Sequence, residues 1–465
     1  MKKVFLIAIL YCIASMAQGQ SLPKIILHND STTLQQTFTT GQLTFIQEED
    51  TTSYSIQLRR RGATSLRYDK PSFAVKICDE QGAKLDASFL GMRSDNYWIL
   101  DAMASDKARM RNRAAMDLWL EIAPDVWYKQ QEPGAINGYR GEMVEVWSDS
   151  VPMGIYCLME RLDRKQLKLK KYNASKGIRG TFYKSYAWSD AVNFRLTTQP
   201  LPSDTVITWE GWEMGYPDYE DGEAITWDPL VGLLDFVSNR SSEVFADSIA
   251  MMIDMPTYIN YCLIVNLLSA RDNAGKNNYW SFYDIQQDTK STISLWDMDH
   301  SWGRMYNSQE EETNYILPKN HLYQRCMSEV PGFVDALEER YAQLREEIFT
   351  VEHLDGILEK YFTLFAETHM DSVEIALWSG HNNIEFDIQS EKDYIHDWLI
   401  QRLAVTDTYY HYMPHATQDI TSDPSVTRVY DIYGHYISDT ITGLPSGLYL
   451  YRHDGITSKI FIVQQ

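Results

Sequence analysis

Hydrophobic and polar positions alternate with a period of two in several segments of the N-terminal third of the chain, as they do in half-buried β-strands. Residues 72–77 follow this pattern, and residues 142–147 and 154–159 predict a β-hairpin. Residues 106–122 instead repeat apolar side chains every four positions, which predicts a helix. We therefore predict a β-rich region with one helix over residues 24–165.

The middle of the chain has the longer apolar stripes of helices. An apolar segment covers residues 255–268, and charged residues surround apolar stripes in much of the segment that follows, up to residue 408. Residues 200–228 interrupt this pattern, because they are rich in Trp, Tyr, Pro, Gly and acidic residues. We predict a mostly helical region over residues 166–416 with an irregular insert, a candidate lid, near residues 200–228.

The tail changes pattern again at about residue 417. Short strand-like segments predict a small C-terminal β-sandwich module over residues 417–465. Two of its segments, residues 429–434 and 444–449, resemble the C-terminal sorting domains of type IX secretion. A plain accessory β-sandwich is the alternative interpretation of the same residues.

The first residues have the pattern of a secretory signal peptide. Lys2 and Lys3 precede an apolar run over residues 4–17, and small residues follow at Ala17 and Gly19. We predict a signal peptide at residues 1–19 and no transmembrane segment after its cleavage. The expected location is outside the cytoplasm: periplasmic, cell-surface or secreted.

Charge narrows the classes of partner. The chain has 42 basic and 64 acidic residues. Without the two lysines of the predicted signal peptide the net charge is 40 − 64 = −24. Such a surface repels nucleic acid and anionic lipid, so we predict neither as a partner. The sequence is silent on the oligomeric state.

Four cysteines remain after the predicted cleavage, and none has the C-x-x-C spacing of a zinc site. Their apolar surroundings predict buried thiols, with one disulfide possible in an oxidising compartment. They are Cys78, Cys157, Cys262 and Cys326.

The most informative segment follows the apolar stretch at residues 255–268. Arg271-Asp272 and Asn277 reproduce the spacing at which protein kinases place a catalytic Asp and a metal-binding Asn. The Asp accepts the proton of an attacking hydroxyl, and the Asn reaches a metal that bridges the phosphates. The adjacent Asn278 is an alternative metal ligand.

A second motif supplies carboxylates at the end of a predicted strand. Residues 291–295 lead into Trp296-Asp297-Met298-Asp299, which precedes His300. Asp and Asn are hard oxygen ligands that suit Mg²⁺ or Mn²⁺. We expect Asp297 and Asp299 to be metal ligands and His300 to support them. The alternative is an ordinary turn with solvated carboxylates.

A third motif is basic and contains glycine. Backbone amides around Gly62 can cradle phosphate oxygens, with Arg61 adding a fixed charge. Lys76 resembles the strand lysine that binds nucleotide phosphates in kinases. A hairpin with a basic surface is the alternative interpretation.

Together these motifs resemble the CotH (spore-coat protein H-like) kinase family over residues 40–408. The resemblance implies an α+β, atypical protein-kinase-like fold with a β-rich N-terminal lobe and a helical C-terminal lobe. It also implies ATP and a divalent metal as cofactors and phosphorylation of Ser or Thr on exported, Ser/Thr-rich protein substrates. The matching residues are 61–65, 70–73, 96–100, 106, 110–112, 154–160, 272, 277, 296–299 and 302–303.

The resemblance also implies a role for each matching residue. Asp272 is the expected catalytic base, and Asn277, Asp297 and Asp299 are the expected metal ligands. Lys76 and Arg61 are expected to bind the phosphates of the nucleotide.

The acid that pairs with Lys76 stays open. Asp106, Asp117 and Glu121 belong to the predicted helix, whereas Glu160 ends the following hairpin. We predict that Glu160 lines the nucleotide pocket, with a surface ion pair to Arg161 or Arg164 as the alternative.

Two other functions compete with the kinase. A non-catalytic adhesion or binding protein can keep such a scaffold, and the scarcity of ATP outside the cytoplasm favours it. A metal-dependent hydrolase could use Asp297, Asp299 and His300, but the spacing supplies too few further ligands. The combination of Asp272, Asn277 and Asp297 favours the kinase.

Overall fold

A computed structural model of the chain describes residues 21–29, 36–196, 199–219, 222–384 and 388–413, and short segments of the tail. The tail segments are residues 428–430, 436–438, 440–442, 444, 447–453 and 456–462. The predicted signal peptide lies outside the described residues. The chain divides into two compact units, with the boundary between Ile400 and Gln401.

The N-terminal region is a closed seven-stranded barrel in the order β1-β2-β3-β4-β5-β7-β6. Neighbouring strands are antiparallel except β1 and β6, whose parallel pairing closes the barrel. Inward-facing aliphatic and aromatic side chains fill it, including Ile56, Phe73 and Trp98. The strands are β1 Lys24–Asn29, β2 Thr39–Gln47, β3 Asp50–Arg61, β4 Ser72–Cys78, β5 Tyr97–Asp101, β6 Gly141–Ser148 and β7 Val151–Met159.

Helix α1, Arg111–Ile122, starts five residues later than the sequence pattern predicts. The reason is the side chain of Asp106, which accepts the backbone N–H groups of Ala108, Met110 and Arg111 at 2.7–2.8 Å. Asp106 therefore works as a cap before the helix rather than as a residue within it.

A second, five-stranded sheet has the order β12-β11-β8-β10-β9. Its strands β9 and β10 lie within residues 200–228, so this insert is less irregular than predicted. The period-two placement of Trp212, Met214 and Tyr216 buries one face of β10. The strands are β8 Thr181–Ser185, β9 Thr208–Trp209, β10 Trp212–Tyr216, β11 Asn278–Phe282 and β12 Ser291–Leu295.

Helices dominate the rest of this unit, and together with the barrel they confirm the predicted α+β class. Among the residues that the structure describes, none of the helices is long and apolar enough to cross a membrane. The remaining helices are α2 Arg164–Leu167, α3 Asp228–Asn239, α4 Ser242–Met252, α5 Met255–Leu267, α6 His321–Glu329, α7 Phe333–Glu347, α8 Val351–Glu367, α9 Met370–Trp378 and α10 Ile388–Tyr409.

The tail forms one four-stranded antiparallel sheet in the order β14-β13-β15-β16. A sandwich needs a second sheet, and the described tail residues contain none. Residues 431–434 and 445–446 of the predicted sorting motifs lie outside the described residues. The strands are β13 Arg428–Tyr430, β14 Tyr436–Ser438, β15 Gly447–His453 and β16 Ile456–Ile462.

Among the described residues, Cys78, Cys157, Cys262 and Cys326 are buried free thiols, as their apolar surroundings predict. Burial raises the pKa of Cys262 well above its ordinary value. These thiols are therefore protonated and serve as small packing groups.

Candidate active site

Asp272 lies in a short 3-10 turn, Asp272–Ala274, that follows the buried helix α5. The backbone leaves the helix through Ser269, which has a positive φ of 49°. The amide of Trp302 donates to the carbonyl of Leu268 at 3.1 Å. This bond joins two residues 34 positions apart, so the segment that follows Asp297 meets the start of the Asp272 loop.

Two basic groups hold one carboxylate oxygen of Asp272. Lys276 Nζ lies 2.8 Å and His300 Nδ1 lies 3.3 Å from Asp272 Oδ2. Burial disfavours the charged carboxylate, but the hydrogen bonds of His300 and Lys276 outweigh it and lower the pKa of Asp272. Asp272 is therefore a charged, oriented acceptor that is still partly open to solvent.

The Asp297 segment leaves strand β12 through a left-handed turn, in which Asp297 has a φ of 57°. The side chain of Asn112 fixes this turn, because its Oδ1 accepts the amide of Met298 at 2.9 Å and the hydroxyl of Tyr139 at 3.0 Å. The Asn112 amide also donates to Asp101 Oδ2 at 3.1 Å. A non-glycine residue in this conformation is uncommon, and such residues concentrate at functional sites.

Asp299 continues the line of polar groups from Asp272. Ser105 Oγ donates to Asp299 Oδ2 at 2.8 Å, and His300 Nε2 lies 3.6 Å from the same oxygen. His300 thus has one ring nitrogen toward Asp272 and the other toward Asp299. The imidazole joins the predicted base to a predicted metal ligand, as expected of a supporting residue.

The carboxylates of Asp297 and Asp299 carry more negative charge than their surroundings neutralise. Burial raises the pKa of Asp297, and the charge of Asp101 adds to the effect. Burial also raises the pKa of Asp299 to about 7. The charge of His300 lowers this pKa, and the charge of Asp297 raises it. In the part of the chain that the structure describes, no side-chain hydrogen bond reaches Asp297.

This charge surplus fits a divalent cation, although the protein supplies few ligands. No three His, Cys, Asp or Glu side chains among the described residues are grouped to hold a metal ion alone. Mg²⁺ commonly uses one or two carboxylates and takes its other ligands from phosphate and water. The donor set of Asp297, Asp299 and an asparagine therefore suits a metal that arrives with a nucleotide.

The two adjacent asparagines differ in their surroundings. Asn278 is buried, and its amide donates to the carbonyl of Asn273 at 2.8 Å. Asn277 is half-exposed with a φ of 56°, and its backbone amide donates to the carbonyl of Ser185 at 2.6 Å. Within the described residues its side chain makes no hydrogen bond, so Asn277 has the amide that is free to take a ligand.

Basic side chains from two sheets face the acidic cluster. Arg61, at the end of β3, lies 5.8 Å from the ring centre of Trp296, and its charge opposes the raised pKa of Asp297, as does that of Lys184 on β8. Burial raises the pKa of the Tyr279 phenol, and the charges of Lys184, Arg161 and Arg61 act against it. Arg61 and Lys184 thus place positive charge near Asp297.

Lys76 lies on β4 among aromatic rings. Its Nζ is 4.4 Å from the ring centre of Phe38 and 5.6 Å from that of Tyr97. Arg161 stacks on the same Tyr97 at 4.1 Å. Lys76 forms no ion pair with any described residue, so its ammonium is held by cation–π contacts and is available to an anionic ligand.

Glu160, at the end of β7, is fully buried and saturated with hydrogen bonds. It accepts from the backbone amides of Arg93 and Arg140 at 2.8 and 3.0 Å and from the side chains of Arg140 and Gln166 at 2.9 and 3.0 Å. Its arginine partner is therefore Arg140, which sequence reasoning did not consider. These contacts fix the chain where it leaves the barrel.

The other three candidate partners of Lys76 are also engaged elsewhere. Asp106 pairs with Arg111, Asp117 pairs with Arg113, and Glu121 pairs with His353. None of the four acids contacts Lys76 in the described structure.

Several residues of the site were missed by sequence reasoning. Lys276 follows Asp272 by four positions, and a search for charges near the motif would have found it. Ser105, Lys184 and Asp101 belong to distant segments, and nothing in their local sequence points to the site. Only the pairing of strands and the closure of the loops bring them to it.

The site thus combines a buried acidic pair, a clamped Asp and nearby cations. A family model described as CotH kinase protein matches residues 58–406, which is more than half of the chain. The chain therefore belongs to the CotH kinase family, as the sequence motifs predict. No curated protein is significantly similar to it.

Proposed function

We propose that this protein is an exported kinase that transfers the γ-phosphate of ATP to Ser or Thr of exported or surface proteins. The observation that carries the proposal is the clamp on Asp272, in which Lys276 and His300 hold one carboxylate oxygen beside the Asp297–Asp299 pair. A binding protein has no evident need for this arrangement. The proposal that it is exported rests on the predicted signal peptide alone.

Asp272 is the group that receives the acceptor hydroxyl in this proposal. Its Oδ2 is occupied by the two basic partners, which leaves Oδ1 for the hydroxyl proton. The pKa of Asp272 is lowered, so its main contribution is to orient the hydroxyl for in-line attack. Positioning supplies most of the catalysis in phosphoryl transfer, so a weakly basic Asp is sufficient.

Asp297, Asp299 and Asn277 would hold Mg²⁺ or Mn²⁺ together with the phosphates of ATP. When bound, the metal neutralises charge on the phosphates. Arg61 and Lys184, whose charges act on Asp297, would bind phosphate oxygens of the same nucleotide. Lys76, whose ammonium lies over the rings of Phe38 and Tyr97, would bind a further phosphate oxygen.

Glu160 would act on the nucleotide pocket indirectly. Its buried hydrogen bonds to Arg93, Arg140 and Gln166 hold the connection after β7. We propose that Glu160 shapes the pocket wall through these contacts.

The test is labelling by radioactive ATP with Mg²⁺ or Mn²⁺, using the purified chain. We expect autophosphorylation or transfer to a Ser/Thr-rich protein, and a loss of about 10²–10⁴-fold in Asp272→Asn. Asn keeps the size of the side chain, so the melting temperature should change little. The exposed Asp247 on α4 provides the matched control, since Asp247→Asn should label like the natural protein.

Equal labelling by the natural protein and Asp272→Asn would refute the catalytic assignment. A melting temperature that neither ATP nor metal changes would favour the non-catalytic adhesion protein instead, because a ligand that binds the folded state must stabilise it.

A further inference from the structure

A half-exposed tryptophan lies directly on the loop that carries Asp272. Trp188 is 49% exposed. A Cβ atom added at Gly275 would lie 2.4 Å from Trp188 Cζ3 and 2.9 Å from its Cη2. Gly275 has a φ of −161° and a ψ of −53°. The indole ring leaves no room for a side chain at this position, three residues after Asp272.

The segment that carries Trp188 is held firmly although the ring is exposed. The amides of Tyr186 and Ala187 donate to the carbonyl of Gly211 at 2.8 and 3.3 Å. Ser189 Oγ donates to the carbonyl of Glu210 at 2.6 Å. These bonds anchor the segment after β8 to the turn between β9 and β10. A large aromatic surface fixed before binding loses little conformational entropy when a ligand covers it.

An indole buries a large apolar area when a ligand covers it, and Trp is enriched among the residues that contribute most to binding. The acceptor hydroxyl has to reach Asp272, and three residues of extended peptide span about 10 Å. A side chain that flanks the acceptor can therefore reach the loop around Gly275 and the ring that lies on it.

We propose that Trp188 is a specificity residue of the acceptor site and receives an apolar side chain of the substrate, one to three residues from the phosphorylated Ser or Thr. This inference rests on the proposed kinase function. It adds to that function a substrate class: segments in which an apolar residue flanks the acceptor. The insert near residues 200–228 contributes by anchoring Trp188 through Glu210 and Gly211.

The experiment uses the full chain, labelled ATP with Mg²⁺, and a positional peptide library with a central Ser. Each flanking position is varied in turn among apolar, charged and small residues. We expect the natural protein to prefer an apolar residue at one position. In Trp188→Ala the ratio of kcat/KM for apolar over glycine at that position should fall about tenfold, the usual effect of one apolar contact in a binding pocket. Trp188→Phe should keep most of the preference.

Tyr219 provides the matched control, because it is an equally exposed aromatic residue, at 49%, in the same part of the chain. Tyr219→Ala should leave the ratio unchanged. A natural protein that labels peptides without an apolar preference, or a Trp188→Ala variant that keeps it, would overturn this inference and leave the kinase function standing. A uniform loss of kcat for all peptides in Trp188→Ala would show that the ring only supports the loop, and would overturn it too. Absence of labelling with every peptide and protein would overturn the kinase function as well.

Discussion

Two adjacent residues at the start of helix α1 serve two polar clusters of opposite character. Arg111 joins a buried ion network with Asp106 and Glu391, in which its guanidinium donates at 2.6 and 2.7 Å. Asn112 instead braces the turn at Asp297, where carboxylates lie close together with little compensation. The helix therefore connects a matched cluster, Arg111 with Asp106 and Glu391, to an unmatched cluster, the carboxylates of Asp297 and Asp299.

The difference lies in how completely each carboxylate is satisfied. Asp106 accepts three backbone amides and one guanidinium, so its pKa is lowered even though burial opposes this. Glu391 receives Arg111 and Arg304. Burial raises the pKa of Asp297 and Asp299, because fewer donors reach them. A buried network whose charges are paired stabilises the fold, whereas a surplus of buried charge points to a ligand that supplies the missing cation.

The largest effect is expected from breaking the matched cluster. Arg111→Met removes the cation between Asp106 and Glu391 and leaves buried carboxylates unpaired. We expect the free energy of unfolding to fall by about 3–5 kcal/mol, measured by chemical denaturation. A loss below about 1 kcal/mol would show that this cluster does not stabilise the fold.

The unmatched cluster should respond in the opposite direction. Asp297→Asn removes a charge that burial disfavours, so the metal-free protein should melt at a higher temperature. The same variant should lose the stabilisation by Mg²⁺ and ATP, which is about 2.7 kcal/mol for a ligand at one hundred times its Kd. Ser72→Ala is the control, because it removes a hydroxyl that donates to Asp101 Oδ1 at 3.2 Å and leaves Asp297 itself in place. This variant should keep the response to Mg²⁺ and ATP. A metal-free Asp297→Asn protein that melts lower would contradict the charge surplus.

A smaller effect is expected at the clamp on Asp272. Lys276→Met should lower kcat about tenfold with little change in KM for ATP, because the lysine acts on the orientation of Asp272. Lys276→Arg should recover most of the activity. In the Asp272→Asn background the loss should disappear, since two residues that act as a unit are not additive. Independent losses in the double variant would show that Lys276 acts elsewhere.

The smallest effects separate the two asparagines. Asn278→Ala removes buried hydrogen bonds and should cost about 1–3 kcal/mol of unfolding free energy. Asn277→Ala should change stability by less than about 0.5 kcal/mol but should weaken the Mg²⁺-dependent binding of ATP. Calorimetric titration of both variants checks this. If Asn278→Ala weakened metal-dependent binding and Asn277→Ala did not, the ligand would be Asn278.

Local sequence patterns were sufficient to predict those elements whose residue types repeat within a few positions. The strand β4 and the hairpin of β6 and β7 were readable from alternating residue types, because successive side chains of a strand point to opposite faces, although nearly all of β4 is buried. The start of α1 was misplaced because Asp106 caps the helix through its side chain, which periodicity does not show. The insert hid two strands, because both are short: β10 is stabilised by pairing with β8, and β9 by pairing with β10.

The sequence by itself determined the family, the α+β class and the motifs around Asp272 and Asp297, because spacing within a loop and residue type are local properties. Only the tertiary structure decided which partners surround them. Lys184, Ser105 and Trp188 reach the site through strand pairing and loop closure across distant segments. The balance of charge at each carboxylate depends on burial and on such distant donors, so it separates the matched cluster from the unmatched one only once the chain has folded.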